Sequence, residues 1–423
     1  MKVEFTPSLL TGAIPAPPSK SLAHRALICA ALAKGVSVIQ NLQFSQDIIA
    51  TMDAMRAFGA EFTVGESFVA VKGIDITRVN SAVIDCRESG STLRFLIPVA
   101  AALGIQTAFK GKGKLPDRPI TPYLQEFPQK GVSFDYKNTM PFSMTGKLQA
   151  GIYHVAGNIS SQFVTGLLFA LPLLNGDSEI RIDGVLESKP YADLTISMLK
   201  KYHISIEETD WGYSVKGNQR YLPCDYTVEG DYSQAAFFLV AGAIGSPVTC
   251  KNLTADSLQG DRAIVSILDS CGAQITVQND SVTSAPGKEL RPFDTDVRDI
   301  PDLVPILTVL ACFCRGTSHI LNAHRLRIKE SDRLAAISQV INGLGGQVHA
   351  FEDRLEITGT GGLAGGSADS FNDHRIAMSA AVASVGCSSP VVLSGAQSVN
   401  KSYPNFYQDF QNLGGKPHVI SME

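Results

Sequence analysis

The chain has 423 residues, 44% hydrophobic and 18% charged, a globular composition too long for one ordinary core, so two domains are expected. Its formal net charge of −4 argues against a nucleic-acid-binding surface, which would carry a basic excess. Any anionic ligand must be held by a local cluster of Lys and Arg, against a mildly repulsive overall field.

The opening MKVEFTPSLL has neither the apolar core of a signal peptide nor the Arg/Ser bias of a transit peptide, which predicts a cytoplasmic chain. The longest apolar stretches, 163–174 and 303–314, fall short of the roughly 20 residues that span a bilayer, so no membrane partner is expected. The eight cysteines are scattered and form no CxxC pair. Reduced, mostly buried thiols are expected rather than a disulfide framework.

In chain order, one unit recurs: an apolar helical run, a glycine, then a short β-branched strand. It reads ALICAALAKGVSVI, FLIPVAAALGIQTAF, FVTGLLFALPLLNGDSEIRI, AFFLVAGAIGSPVTC, VPILTVLACFCRGTSHIL and AMSAAVASVGCSSPVVL. Its glycines are Gly35, Gly104, Gly176, Gly245, Gly316 and Gly386, and glycine suits the left-handed position that ends a helix. A second series interleaves with it, pivoting on Gly59, Gly131, His203, Gly272, Gly345 and Gly414, with His203 expected to occupy a turn. Two series with one period predict six βαβαββ repeats, three in each of two similar α/β domains. The first helix series is apolar nearly all round and should be buried inside the sheets. Hinges are expected near 13–20, which is Pro-rich, and 221–231. They divide the chain into a discontinuous domain, 1–13 plus 227–423, and a second domain, 14–226.

Polar residues collect where these helices begin. PSKSLAHR (18–25), RESGSTLR (87–94), NISSQF (158–163), EGDYSQ (229–234), RDIPD (298–302) and FNDHR (371–375) precede the apolar series. FSQD (44–47), PDRP (116–119), ESKP (187–190), QGDR (259–262), IKESDR (328–333) and NKSYP (400–404) precede the other. Any single Ser or Asp there is an ordinary N-cap. A cation at a helix start is different, because it opposes the macrodipole unless an anion is present. Lys20, Arg25, Arg94, Arg118, Lys329, Arg333, Arg375 and Lys401 repeat that choice and point to anionic ligands. His24 and His374, each before an Arg, read as structural. GTGGLA (359–364) fits the dinucleotide fingerprint formally, but no helical pattern follows it directly. With no Walker loop, HExxH or metal-ligand spacing, chemistry without metal or cofactor is expected.

Together SKSLAHR, SGSTLR, NISSQF, IKESDR, NDHR and NKSYP resemble, in order, the signature segments of the EPSP synthase family of enolpyruvyl transferases. The resemblance spans essentially the whole chain. It implies an inside-out α/β fold of two domains with buried parallel helices, closing on a cleft. It also implies transfer of the enolpyruvyl group of phosphoenolpyruvate to the 5-hydroxyl of shikimate 3-phosphate, releasing phosphate. By the same resemblance Lys20, Ser21, Arg25, Ser160, Ser161, Gln162, Ser188 and Tyr191 hold shikimate 3-phosphate. Lys20, Gly90, Arg94, Arg118, Gln162, Arg333, Arg375 and Lys401 hold phosphoenolpyruvate. Asp302 and Lys329 lie at the reacting hydroxyl, with Asp302 as base, and Glu330 protonates the methylene carbon. Glu88 stands where many relatives carry Asn, and Arg325 where they often place another polar residue. A monomer acting on two small molecules is expected.

Two other readings compete. The sister enzyme acting on UDP-N-acetylglucosamine typically carries a reactive Cys in the loop that corresponds to 111–121, and none stands there. A nucleotide- or RNA-end-binding protein of related repeat architecture would need a basic excess or a nucleotide motif, and neither is present.

Overall fold

The computed structural model of the protein describes residues 1–75 and 79–422. The chain divides into two compact units, Met1–Ser19 with Glu229–Glu423, and Lys20–Val228. Among the described residues each unit carries three four-stranded sheets, and all six sheets have one strand order. In one of them, Ser81–Asp85 runs parallel to Gln106–Lys110, which pairs antiparallel with Phe142–Gly146, itself paired antiparallel with Val132–Asp135. Parallel neighbours require a crossover, and helix Gly90–Leu103 supplies it. This is the predicted βαβαββ repeat.

Three repeats are completed by strands distant in sequence, one of them by Gly12–Pro15 beside Val248–Lys251. Lys2–Thr6 lies between Val391–Ser394 and Lys416–Ser421, so the chain's first strand finishes its last sheet. Tyr226–Thr227 supplies the parallel strand beside Val36–Gln40.

The expected boundaries need correction at both junctions. Gly12–Pro15 pairs in parallel with Val248–Lys251, and the Ser19 amide donates to the Glu229 carbonyl at 2.8 Å. These bonds hold residues 14–19 in the discontinuous unit. At the other junction the Val228 amide donates to the Gln40 carbonyl at 3.0 Å, which keeps 227 and 228 in the second unit.

The two glycine series differ in kind. Gly59, Gly131, Gly272, Gly345 and Gly414 have φ between +85° and +99°, and His203 joins them at +64°. All six are left-handed turns between a helix and its hairpin, so His203 carries the strain glycine avoids. In the apolar series the expected left-handed cap holds at Gly104 (φ 71°, ψ 25°). Gly245 instead has φ −128°, and Gly316 already lies within strand Arg315–Leu321.

The apolar helices are buried on every side, as their sequences predict. In Tyr232–Ile244 each residue from Tyr232 to Ala243 is buried, and all of Val304–Phe313 is. Their polar side chains turn to their own backbones: Thr308 donates to the Val304 carbonyl at 2.8 Å, and Cys312 to Thr308 at 3.2 Å. Such bonds satisfy groups that would otherwise be orphaned in the core. Seven of the eight cysteines are buried. Among the described residues, no helix is long and apolar enough to cross a membrane.

Close helix packing sets where the helix starts lie. A Cβ on Gly166, in helix Ser161–Ala170, would strike the Tyr123 hydroxyl and the Arg94 carbonyl of helix Gly90–Leu103. Gly166→Ala should therefore destabilise the protein by about 1–3 kcal/mol through overpacking, read as a lower midpoint in denaturant. An unchanged or raised midpoint would mean the two helices can part at no cost.

Candidate active site

Within Lys20–Val228 the first turns of the helices meet one another. Helices Lys20–Leu32, Gly90–Leu103 and Ser161–Ala170 have no acidic residue in the first turn, which inverts the usual complement to the dipole. Lys20 opens its helix and pairs with Asp47 at 2.8 Å, on the first turn of Gln46–Ala57.

Arg25 is 2% exposed. Its guanidinium donates to Thr195 Oγ1 at 2.8 Å and to the Ser21 and Tyr191 carbonyls at 2.7 Å each. All three partners are neutral, so none cancels its charge, and burial pushes its pKa down to about 10. A guanidinium has five N–H donors, so two remain for an anion. Ser21, Arg25 and Tyr191 are thus brought together. Ser188, at the start of Lys189–Lys201, is buried in the left-handed region with φ 57°.

A second cluster forms around Arg94. Its Nη1 donates to Gln162 Oε1 at 2.8 Å and its Nη2 to the Pro119 carbonyl at 3.0 Å. Gln162 Nε2 donates in turn to Ser91 Oγ at 3.1 Å, and Ser160 Oγ accepts from the Gln162 amide at 3.3 Å. Ser161 is the first residue of that helix and is buried. A Cβ on Gly90 would lie 2.7 Å from Arg118 Nη1, so glycine there admits the Arg118 guanidinium to the helix start.

The other unit, taken by itself, gathers Asp302, Lys329, Glu330, Arg333 and Arg375. Arg333 is 1% exposed and opens helix Arg333–Gly343. It donates to Asp302 at 2.9 Å, to Glu330 at 2.8 Å and to Asp373 at 2.8 Å. The other Asp302 oxygen accepts from Arg375 Nη2 at 3.1 Å, and Lys329 Nζ lies 3.7 Å from Asp302. Lys401 ends the 3-10 helix Ala396–Lys401 and donates to the Asn372 carbonyl at 2.5 Å.

Asp373 and Asp47 escaped the sequence reading as site-forming residues. Asp373 is fully buried; it caps helix His374–Ala383 through the Arg375 amide and also accepts from Ser331 at 3.1 Å. Its N-cap position was visible in FNDHR, and that ordinary role hid the ion pair formed across 40 residues.

Lys329 is the cation of this cluster that burial weakens. Burial lowers its pKa to about 8, partly offset by Asp302, although a quarter of its side chain still reaches solvent. A cation with a folded-state pKa below its unfolded value opposes folding while protonated, and the opposition fades as pH rises from about 8 towards 10.5.

Two units of three βαβαββ repeats around buried helices are the architecture of the enolpyruvyl transferases. The enolpyruvyl transferase NikO from Streptomyces tendae superposes with TM-score 0.78 over 99% of this chain and 98% of its own, at 17% identity. EPSP synthase from Acinetobacter baumannii superposes at 0.85 over 99% and 100%, at 23% identity. The sequence narrows the class further. A family model described as EPSP synthase (3-phosphoshikimate 1-carboxyvinyltransferase) matches residues 6–410. The 3-phosphoshikimate 1-carboxyvinyltransferase of Clostridium kluyveri is 47% identical over 98% of this chain and 97% of its own. That of Clostridium perfringens is 45% identical over 98% of each. The chain belongs to the EPSP synthase family, as its helix-start motifs predict.

Two outcomes follow from the Arg333 cluster. Asp373→Ala takes from Arg333 its one fully buried carboxylate, leaving Asp302 and Glu330, and removes a helix cap, so it should cost about 1–3 kcal/mol of stability by denaturant titration; a loss under about 0.5 kcal/mol would show both contacts to be dispensable. An NMR titration should find the Lys329 ammonium losing its proton near pH 8, and a midpoint at the ordinary lysine value would contradict its buried placement.

Proposed function

We propose that the chain transfers the enolpyruvyl group of phosphoenolpyruvate to the 5-hydroxyl of shikimate 3-phosphate, releasing inorganic phosphate. Family membership supports the reaction. The carrying observation for the residues is the meeting of Arg333, Arg375 and Lys329 on the one carboxylate of Asp302.

Lys20, Ser21 and Arg25 take the phosphate of shikimate 3-phosphate, using the two donors that Arg25 retains. Ser160, Ser161, Gln162, Ser188 and Tyr191 complete the contacts to that substrate. Arg94, Arg118, Arg333, Arg375 and Lys401, with Gly90, Gln162 and Lys20, hold phosphoenolpyruvate, whose carboxylate and phosphate both suit the guanidinium fork.

Glu330 gives a proton to the methylene carbon, which leaves C2 electron-poor. The 5-hydroxyl adds to C2 while Asp302 accepts its proton. Lys329, with a pKa near 8 and 3.7 Å from Asp302, can relay that proton. The tetrahedral intermediate then expels phosphate as the methyl carbon returns a proton to Glu330, which restores the double bond. The cations offset the crowded negative charge and orient both substrates. Substrates are small molecules on this reading, and the chain acts in the cytoplasm as a monomer without metal or cofactor.

The test is phosphate release from phosphoenolpyruvate, with shikimate 3-phosphate and UDP-N-acetylglucosamine offered separately. Release with shikimate 3-phosphate alone is expected, and Lys20→Ala and Glu330→Ala should each remove most of it from a folded protein. Release with the sugar nucleotide alone would overturn the reading. Near-normal turnover in either variant would remove that residue from the mechanism.

A further inference from the structure

A buried line of hydrogen bonds joins the first two turns of three helices in Lys20–Val228 and has no part in the chemistry above. His24 Nδ1 lies 2.8 Å from Thr51 Oγ1, which lies 2.7 Å from Thr92 Oγ1, and Thr92 Oγ1 donates to Ser89 Oγ at 2.8 Å. None of the four residues is more than 1% exposed.

Counting protons orders the line. Thr92 gives its one hydroxyl proton to Ser89, so it accepts from Thr51. Thr51 has then used its own proton and accepts from His24, which must carry hydrogen on Nδ1. That tautomer leaves Nε2 as a bare lone pair when the ring is neutral, and Nε2 has no hydrogen-bond partner among the described residues. Burial, reinforced by Lys20 and Arg25, pushes the imidazole well below its usual pKa, in keeping with a neutral ring.

The line is attached to groups that matter. Lys20 stands one turn before His24 and Asp47 one turn before Thr51, on the same helix faces. The Lys20–Asp47 pair at 2.8 Å and the His24–Thr51 bond therefore pin these two helices twice. At the far end Ser89 caps Gly90–Leu103 by accepting from the Thr92 amide at 3.1 Å, and Thr92 lies between Ser91 and Arg94. Sliding any of the three helices would strand a buried hydroxyl or imidazole, which costs more than the bond itself contributes.

We infer that Thr51, acting through His24 and Thr92, is a positioning residue that sets the spacing of Lys20 from the Gly90–Arg94 helix start. The inference rests on the reading that both of those groups touch substrate. Thr51→Val keeps the branched shape and removes both hydrogen bonds; Thr51→Ser keeps the hydroxyl.

Both variants, with Thr92→Val and the double Thr51→Val/Thr92→Val, are assayed by phosphate release against the unaltered chain, with thermal unfolding run in parallel. Thr51→Val should lower kcat about ten-fold in protein still folded at the assay temperature, since small misplacements of catalytic groups are expensive. Thr51→Ser should restore kcat to within about two-fold, and the double variant should be no worse than the poorer single one, because both cut the same line. If Thr51→Val does not fold, Thr92→Val carries the same expectation with its amide cap intact. Unchanged kcat and KM in the Val variants, even with a lowered Tm, would overturn the inference and leave the line a stabilising feature only. Additive losses in the double variant would overturn it too. No turnover by the unaltered chain would overturn the functional reading, and this inference with it.

Discussion

A guanidinium at the start of a buried helix is opposed twice, by desolvation and by the positive end of the helix dipole. The chain accepts that cost repeatedly, at Arg25, Arg94, Arg333 and Arg375, all at most 4% exposed. Everything else in the fold makes the arrangement tolerable. Apolar helices bring their first turns into contact, glycines such as Gly166 and Gly90 let backbones and side chains close in, and capping Ser and Asp residues take up the helix amides that no carbonyl reaches.

The two units meet this cost differently. In Lys20–Val228 the Arg25 guanidinium leans on neutral oxygens, from Thr195 and two carbonyls, and its charge is not cancelled by them; Arg94 bonds the Gln162 side chain and the Pro119 carbonyl. In the other unit Arg333 is surrounded by the carboxylates of Asp302, Glu330 and Asp373. The first arrangement suits gripping a phosphate. The second holds three carboxylates in fixed order around a cation, with burial lowering the neighbouring Lys329 to a pKa of about 8.

Much of this was legible in the sequence, for identifiable reasons. The repeats showed because an all-apolar helix and its punctuating glycine are local signals; even His203, chemically unlike the glycines of its series, keeps their left-handed turn. The helix starts showed because cations there break a local rule. Domain limits were missed by a few residues because they depend on which sheet claims Gly12–Pro15 and Val228, a pairing of distant strands. Asp373 and the His24–Thr51–Thr92 line were missed because their partners stand 27 to 42 residues away. A threonine inside an apolar helix gives no sign of facing another.

On the proposed reading the buried cations at these helix starts hold ligand anions, and a crystal structure with shikimate 3-phosphate bound addresses that most directly. Phosphate oxygens should lie within hydrogen-bond distance of Lys20, Ser21 and Arg25, with Arg25 still anchored to Thr195. A phosphate bound elsewhere, with Arg25 engaged only by Thr195 and the two carbonyls, would contradict it.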